Sequence, residues 1–261
     1  MRTASPGGGL LRANAATVQE KPSNMKASLN LADEVRGDLA SLARINTPSV
    51  RSLRRRYSTV LADESPKTVL QFVRALLDGA GWAERMVSWE VLAAHERAFG
   101  LLNDRLVERM ADGLSDWGSV DLFGVTVLGQ AWRAGLVTDS KILAWARSHD
   151  RWRRRLALVA TVPLNSRARG GTGDARRTLR VCRLLLGDSD DMVVKAMSWS
   201  LRELAKRDPQ VVEAFLRKEK DRLSSRVKRE VLNKLRTGVK SPRHRTRSVA
   251  QRALAAPQPI E

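Results

Sequence analysis

Hydrophobic residues recur with a helical period along most of this 261-residue chain. Between residues 31 and 42, leucine and valine stand three or four positions apart, on one face of a helix. Thr47-Pro48 and Ser65-Pro66 have the form of an N-cap followed by proline, which predicts two helix starts. Further helices are predicted over residues 82–97, 99–112, 116–135, 139–148, 151–162, 174–186, 191–206, 209–218 and 224–236. No stretch shows strand alternation, so the pattern predicts an all-α fold.

Breaks between the predicted helices are short and contain Gly, Pro, Asp or Ser. Helices joined by short turns pack antiparallel, which gives about six helical pairs. Irregular pairs of about 35–45 residues stacked side by side form a HEAT-like solenoid. We therefore predict a curved α-solenoid with a basic concave face. A globular helical bundle remains the alternative, because no clean internal repeat is visible.

Three regions are predicted from composition. Residues 1–24 contain three consecutive glycines, two prolines and no sustained periodicity, which predicts disorder. Residues 25–238 form the folded body. Residues 239–261 contain three prolines and five basic residues, which predicts a flexible basic tail.

Charge is distributed unevenly along the chain, whose formal net charge is +19. Residues 25–120 are neutral overall, with thirteen basic and thirteen acidic side chains. Residues 121–238 hold 26 basic and 13 acidic side chains. An excess confined to one half of the body indicates an oriented contact with a polyanion, either a nucleic acid or an acidic membrane face.

Several other classes of protein are disfavoured. Cys182 is the single cysteine, which excludes an intrachain disulfide and a zinc site built from several cysteines. The three histidines are scattered, and no metal or cofactor is expected. No apolar run approaches the ~20 residues of a membrane-spanning helix, and no secretory signal is expected. The simplest location is the cytoplasm.

Two tryptophans have neighbours that suggest chemistry. Trp117 and Asp121 are four residues apart, hence on one helical face behind a cap at Ser115 or Asp116. An indole and a carboxylate together attract a cation. The alternative is that Asp121 pairs with an arginine of a neighbouring helix.

Trp199 lies on a second unusual stripe. Lys195, Trp199 and Arg202 stand at i, i+4 and i+7, so two cations flank an indole on one helical face. Core helices rarely carry such a stripe. The alternative is a boundary face in which Arg202 pairs with Glu203 or Asp208.

Arginine clusters predict phosphate contacts. Four of the five residues from Arg151 to Arg155 are arginine, and guanidinium groups bind phosphate oxygens in pairs. Arg51 and the run of arginines at 54–56 form a similar cluster. No Gly-rich phosphate loop follows a strand, and Gly170-Gly171-Thr172-Gly173 is interpreted as a flexible loop.

These residues, in this order and spacing, resemble the alkylation-repair DNA glycosylases of the AlkD type. The resemblance covers most of the body. Its anchors are Thr47-Pro48 with Arg51, Trp117 with Asp121, Trp152 with the arginines after it, and the segment 195–203 around Trp199.

The resemblance implies hydrolysis of the N-glycosidic bond of N3- or N7-alkylated, cationic purines in duplex DNA, without a pocket for a flipped base. It implies that Trp117 and Trp199 contact the lesion and that Asp121 stabilises the oxocarbenium-like sugar and orients water. Arg154 or Arg155 would hold a backbone phosphate. Lys195, Arg202 and Arg51 are expected to bind DNA as well.

Two other functions remain open at this point. A non-catalytic scaffold that binds DNA or RNA needs the basic face and does not need Asp121. A helical adaptor for acidic proteins would also be basic, although no peptide groove is apparent. A monomer is expected for a repeat protein that wraps DNA.

Overall fold

A computed structural model describes residues 22–241 of the chain. The predictions of a disordered N-terminal segment and a basic C-terminal tail therefore fall largely outside the described residues, although helix α1 begins at Pro22, inside the first of them. The α-helices are α1 Pro22–Ala40, α2 Thr47–Val60, α3 Pro66–Leu77, α4 Trp82–Ala94, α5 Glu96–Phe99, α6 Asp104–Ala111, α7 Trp117–Phe123, α8 Gly129–Arg133, α9 Asp139–Ala146, α10 Arg151–Val159, α11 Val162–Asn165, α12 Ala175–Leu184, α13 Asp191–Leu204, α14 Pro209–Lys218 and α15 Ser225–Thr237.

The described residues contain no strand, so the predicted all-α helical-repeat solenoid is confirmed. Six helices pack side by side in the order α2, α4, α7, α10, α13 and α15. A second row lies against them, in which α1 contacts α3 and α9 contacts α12. Each repeat buries its apolar face mainly against its neighbours in the stack, as in other repeat proteins.

Side-chain caps begin the helices α2, α7, α10 and α13. Asn46, rather than the predicted Thr47, caps α2, and it forms a capping box with Ser49. Asp116 caps α7 by accepting a hydrogen bond from the backbone N–H of Ser119 at 2.8 Å. Asp150 and Asp190 cap α10 and α13 in the same way. Each cap satisfies backbone donors that the first helical turn leaves unpaired.

The predicted helix over 116–135 is interrupted by a π-helix at Gly124–Leu128. The glycines at its two ends allow very close packing. A Cβ at Gly124 would lie 2.6 Å from Cγ1 of Val159, and a Cβ at Gly129 would lie 2.4 Å from the carbonyl oxygen of Ala160. Only glycine fits such contacts, and they set α7 and α8 directly against α10 and α11.

The segment after α10 differs from the expectation of a flexible loop. It contains the short helix α11 and a 3₁₀ turn at Arg167–Arg169. Gly171 and Gly173 donate backbone hydrogen bonds to Ser166 and Leu164, each at 2.9 Å. The glycines are therefore used for a tight, hydrogen-bonded turn, and residues 166–173 form a fixed structure on the surface.

Candidate functional site

An open cleft of about 340 Å³ lies across the middle of the row of six helices. Three successive helices of that row, α7, α10 and α13, supply almost all of its walls. The cleft is lined by Trp117, Asp121, Arg155, Met192, Lys195, Trp199, Arg202 and Lys240. Six of these eight were selected from the sequence as site residues.

Asp121 and Arg155 form a bidentate ion pair at the base of the cleft. Arg155 donates from Nε to Oδ1 of Asp121 at 2.8 Å and from Nη2 to Oδ2 at 2.7 Å. Its remaining nitrogen, Nη1, donates to the backbone carbonyl of Met192. The Arg155 side chain is 6% exposed and that of Asp121 is 18% exposed. The pairing that the sequence left open for Asp121 is thus present, and it links α7, α10 and α13.

Burial raises the pKa of Asp121 above its ordinary value, although hydrogen bonding and attraction from Arg155 act in the opposite direction. A carboxylate that has lost hydration holds its charge less readily. The Asp121 oxygens that face the cleft each have a lone pair that Arg155 does not use. The carboxylate is therefore both fixed in position and able to accept a further contact.

The two candidate tryptophans differ in exposure. Trp117, the first residue of α7, is 63% exposed, which is unusual for an indole. Trp199 is half-buried and packs partly on the hydrophobic core. An exposed aromatic side chain at the mouth of a cleft is available to a ligand, whereas a half-buried one forms a firm wall.

The cations of the cleft have polar or acidic partners on the same helix or on α15. Lys195 pairs with Asp191 at 2.6 Å. Arg202 donates to the hydroxyl of Ser198 at 3.2 Å, and Ser198 in turn donates to the buried carboxylate of Glu230 at 2.6 Å. Burial lowers the pKa of Arg202, and the carboxylates of Glu230 and Glu203 oppose that shift. These contacts fix where each positive group lies.

Two of the residues selected from the sequence lie away from the cleft. Arg154 pairs with Asp188 at 2.7 Å and donates to the carbonyls of Ser148 and His149 at 3.1 and 2.8 Å. These bonds hold the start of α10, and they use the Nε and Nη1 of Arg154. Arg51 lies on α2 and pairs with Glu90 at 3.0 Å.

Met192 and Lys240 were missed from the sequence. Met192 contributes its carbonyl oxygen, which no side-chain pattern can reveal. Lys240 was assigned to the flexible tail, yet it lines the cleft and pairs with Glu230 at 3.5 Å. Lys240 follows the end of α15 and lies outside the helical pattern, so the sequence gave no indication of this contact.

Residues 22–241 offer no cluster of metal-binding side chains and no helix suited to spanning a membrane. In that part of the chain, no three His, Cys, Asp or Glu side chains come together in a way that could hold a metal ion. No helix in the same range has both the length and the apolar character to cross a bilayer.

The chain is similar to a known protein family and to solved structures. The chain matches the DNA alkylation repair enzyme family over residues 14–235. Its fold is similar to a solved structure described as "Predicted DNA alkylation repair enzyme from Enterococcus faecalis", with a TM-score of 0.61 and 18% identity. That match covers 84% of this chain and 98% of the other. No curated protein matches the sequence. The family match spans most of the chain and includes every helix of the cleft, so the protein belongs to the DNA alkylation repair enzyme family.

Proposed function

We propose that the protein is a monofunctional DNA glycosylase that hydrolyses the N-glycosidic bond of N3- or N7-alkylated purines in duplex DNA. The observation that carries this proposal is the convergence of Trp117, Asp121 and Trp199 on one cleft. The family match supports a role in alkylation repair and DNA as the partner. No cofactor is invoked.

The chemistry of the lesion fits such a cleft. Alkylation at N3 or N7 makes the purine cationic, so the base is a good leaving group and positive charge passes to the sugar as the bond breaks. A carboxylate stabilises that charge and can orient an attacking water molecule. Asp121 has this role in the proposal, and the faces of Trp117 and Trp199 add favourable contacts to a cationic sugar.

Positive groups around the cleft would hold the strand that carries the lesion. Lys195 and Arg202 lie on the same wall as Trp199 and face the cleft. Arg155 donates one bond from each of its three guanidinium nitrogens to Asp121 or Met192, and its side chain is only 6% exposed. We therefore assign phosphate contact mainly to Lys195 and Arg202, and we assign Arg155 the task of holding the carboxylate in place.

A non-catalytic scaffold that binds duplex nucleic acid is the second candidate. The bidentate bond to Arg155 favours it, because a neutralised carboxylate has less charge to offer a developing cation. In that case the Asp121–Arg155 pair would serve only to join helices. The two candidates make opposite predictions for base release.

Duplex DNA containing N7-methylguanine separates them. The enzyme should release the methylated base under single-turnover conditions, and Asp121→Asn should be slower by at least about 10²-fold, the scale expected when one charged transition-state group is lost. A matched control is Asp188→Asn, which removes a paired carboxylate outside the cleft. Equal rates for wild type and Asp121→Asn would remove Asp121 from the mechanism. Absence of release from both N3- and N7-alkylated duplexes, with DNA binding intact, would establish the scaffold instead.

A further inference from the structure

A second cluster of arginines lies two helices away from the cleft. Arg51 and Arg54 on α2 share one carboxylate, that of Glu90 on α4. Arg51 donates from Nε to Oε1 at 3.0 Å, and Arg54 donates from Nε to Oε2 at 3.2 Å. The Glu90 side chain is only 10% exposed, so this carboxylate is a buried anchor for both guanidiniums.

The way in which these arginines bind Glu90 leaves their outer nitrogens available. Each uses its Nε, and within residues 22–241 neither Arg51 nor Arg54 donates a hydrogen bond from a terminal nitrogen. Four terminal NH₂ groups therefore remain for another acceptor. The side chain of Arg51 is 42% exposed, so that acceptor can come from solvent.

A third arginine, from the opposite half of the sequence, lies within electrostatic range of Glu90 and Arg51. Arg169 belongs to the turn 166–173, and its half-buried guanidinium has no hydrogen-bond or ion-pair partner among the described residues. The charges of Glu90 and Arg51 both act on it: burial lowers the pKa of Arg169 most, Glu90 opposes that shift and Arg51 adds to it. A half-buried cation without a counter-ion is costly unless an anion binds there.

The turn that carries Arg169 is held firmly. Arg133 donates to the carbonyls of Arg169 and Pro163. Arg207 donates to the carbonyl of Asn165 at 2.7 Å and to that of Gly171. Arg133 and Arg207 thus fasten the backbone of the turn, and the side chain of Arg169 is presented from a rigid support.

We infer that Arg51, Arg54 and Arg169 form an anion-binding site for a phosphodiester of the nucleic-acid backbone, with Glu90 as the positioning residue. Three guanidiniums against one carboxylate leave a local charge of +2. Planar guanidiniums that present paired N–H groups suit the oxygens of a phosphate. The inference rests on the proposed function only in taking DNA as the partner.

The position of the site suits a strand that also crosses the cleft. The helix α4 separates α2 from α7, and packed helices lie about 8–10 Å apart, so the two sites are roughly 16–20 Å apart. One DNA strand advances about 3.4 Å per nucleotide along the axis, so this spacing corresponds to roughly five nucleotides. The cluster would therefore grip the backbone beside the lesion rather than at it.

Binding of an undamaged duplex at several salt concentrations tests this site without requiring catalysis. Arg51→Gln and Arg169→Gln should each weaken binding roughly tenfold, as expected for loss of a charged hydrogen bond, and should each lower the slope of log K against log salt by about one. Arg55→Gln is the matched control, because Arg55 is an exposed arginine of α2 that does not contact Glu90. Unchanged slopes for both site variants, or an equal loss with Arg55→Gln, would overturn the inference.

Glu90→Gln tests whether DNA binding depends on how Glu90 positions the arginines or only on the overall positive charge. It raises the net charge by one, so a general field predicts tighter DNA binding. Loss of the shared anchor predicts binding that is no tighter than wild type, with a lower salt slope. Tighter binding would overturn the positioning role. A thermal unfolding midpoint for each variant shows that it is folded.

Inorganic phosphate distinguishes a free anion from a DNA backbone. The stability of wild type and of Arg169→Gln is compared in phosphate and in chloride at equal ionic strength. Suppose that phosphate stabilises only the wild type and that all variants keep the wild-type salt slope on DNA. The site then binds free phosphate, and the assignment to a DNA backbone is wrong. Failure of base release by the wild type would leave these binding results unaffected, so the two proposals can fail separately.

Discussion

Replacing Asp121 by Asn removes the charge from one half of a buried ion pair. Arg155 keeps its charge and stays 6% exposed, with only the Met192 carbonyl and the Asn oxygen as acceptors. Removing one partner of a buried pair costs about 3–5 kcal/mol, because the other charge is left uncompensated. Since Asn still accepts one of the two bonds, we expect a loss of about 3 kcal/mol in the free energy of unfolding.

Thermal unfolding provides the assay. At this chain length, about 1 kcal/mol shifts the midpoint by roughly 2–4 °C, so Asp121→Asn should unfold about 6–12 °C below wild type. The double variant Asp121→Asn with Arg155→Met removes the uncompensated charge, and well-packed apolar replacements of buried pairs are often neutral. It should therefore recover most of the lost midpoint.

Comparison of stability with activity then separates two roles of Asp121. If Asp121 takes part in base release, the double variant regains stability without regaining activity. If Asp121 only joins helices, activity returns with stability. A midpoint for Asp121→Asn within about 1 °C of wild type would refute the reasoning, since it would mean that Arg155 is not held in a desolvated place.

Three further predictions concern other parts of the molecule. Gly129→Ala should lower the free energy of unfolding, measured in urea, by about 1–3 kcal/mol, because the added Cβ would lie 2.4 Å from the carbonyl oxygen of Ala160. Gly135→Ala is the control for backbone strain alone, because Gly135 has a positive φ and its added Cβ would meet no neighbouring atom. Cys182 is fully buried and its pKa is raised to about 12, so it should react with a thiol reagent at pH 8 only when the protein opens, and labelling should rise sharply across the unfolding transition. As the pH falls, base release should begin to decline at a higher pH than it would with an ordinary aspartate, because the pKa of Asp121 is raised and the ionised carboxylate is lost as the pH falls through that pKa. An unperturbed aspartate titrates near pH 4, so a rate that stays flat from about pH 7 down to pH 4 would contradict this prediction.

Helical period and local spacing were enough to predict the all-α solenoid and most of the cleft. Trp117 with Asp121, and Lys195 with Trp199, each lie within one turn of a single helix, so 3.6-residue geometry alone places them on one face. A cap at Ser115 or Asp116 was also visible, because capping depends on residues about three apart, and the structure selects Asp116.

Contacts between segments that are distant in the sequence could not be predicted from helical period and local spacing. Asp121 and Arg155 are 34 residues apart, and whether they meet depends on how α7 and α10 are aligned. That alignment is set by a π-helix and by glycine contacts that have no periodic signature. Arg154 and Arg155 are adjacent in the sequence, yet the helix turns one toward Asp188 and the other toward Asp121, so a charge run alone could not separate their roles.

The chain of bonds from Asp121 through Arg155 to the carbonyl of Met192 has a mechanical consequence. In a repeat protein, each unit contacts only its neighbours, so the stack can open at any junction between units. This chain crosses two successive junctions, α7 to α10 and α10 to α13. The units it joins should exchange their amide hydrogens as one cooperative block, and the width of the cleft between Trp117 and Trp199 should stay constant while the ends of the stack fluctuate. The Arg155 side chain, which holds the Asp121 carboxylate, should therefore also fix the width of the cleft and so the size of the group that can enter it.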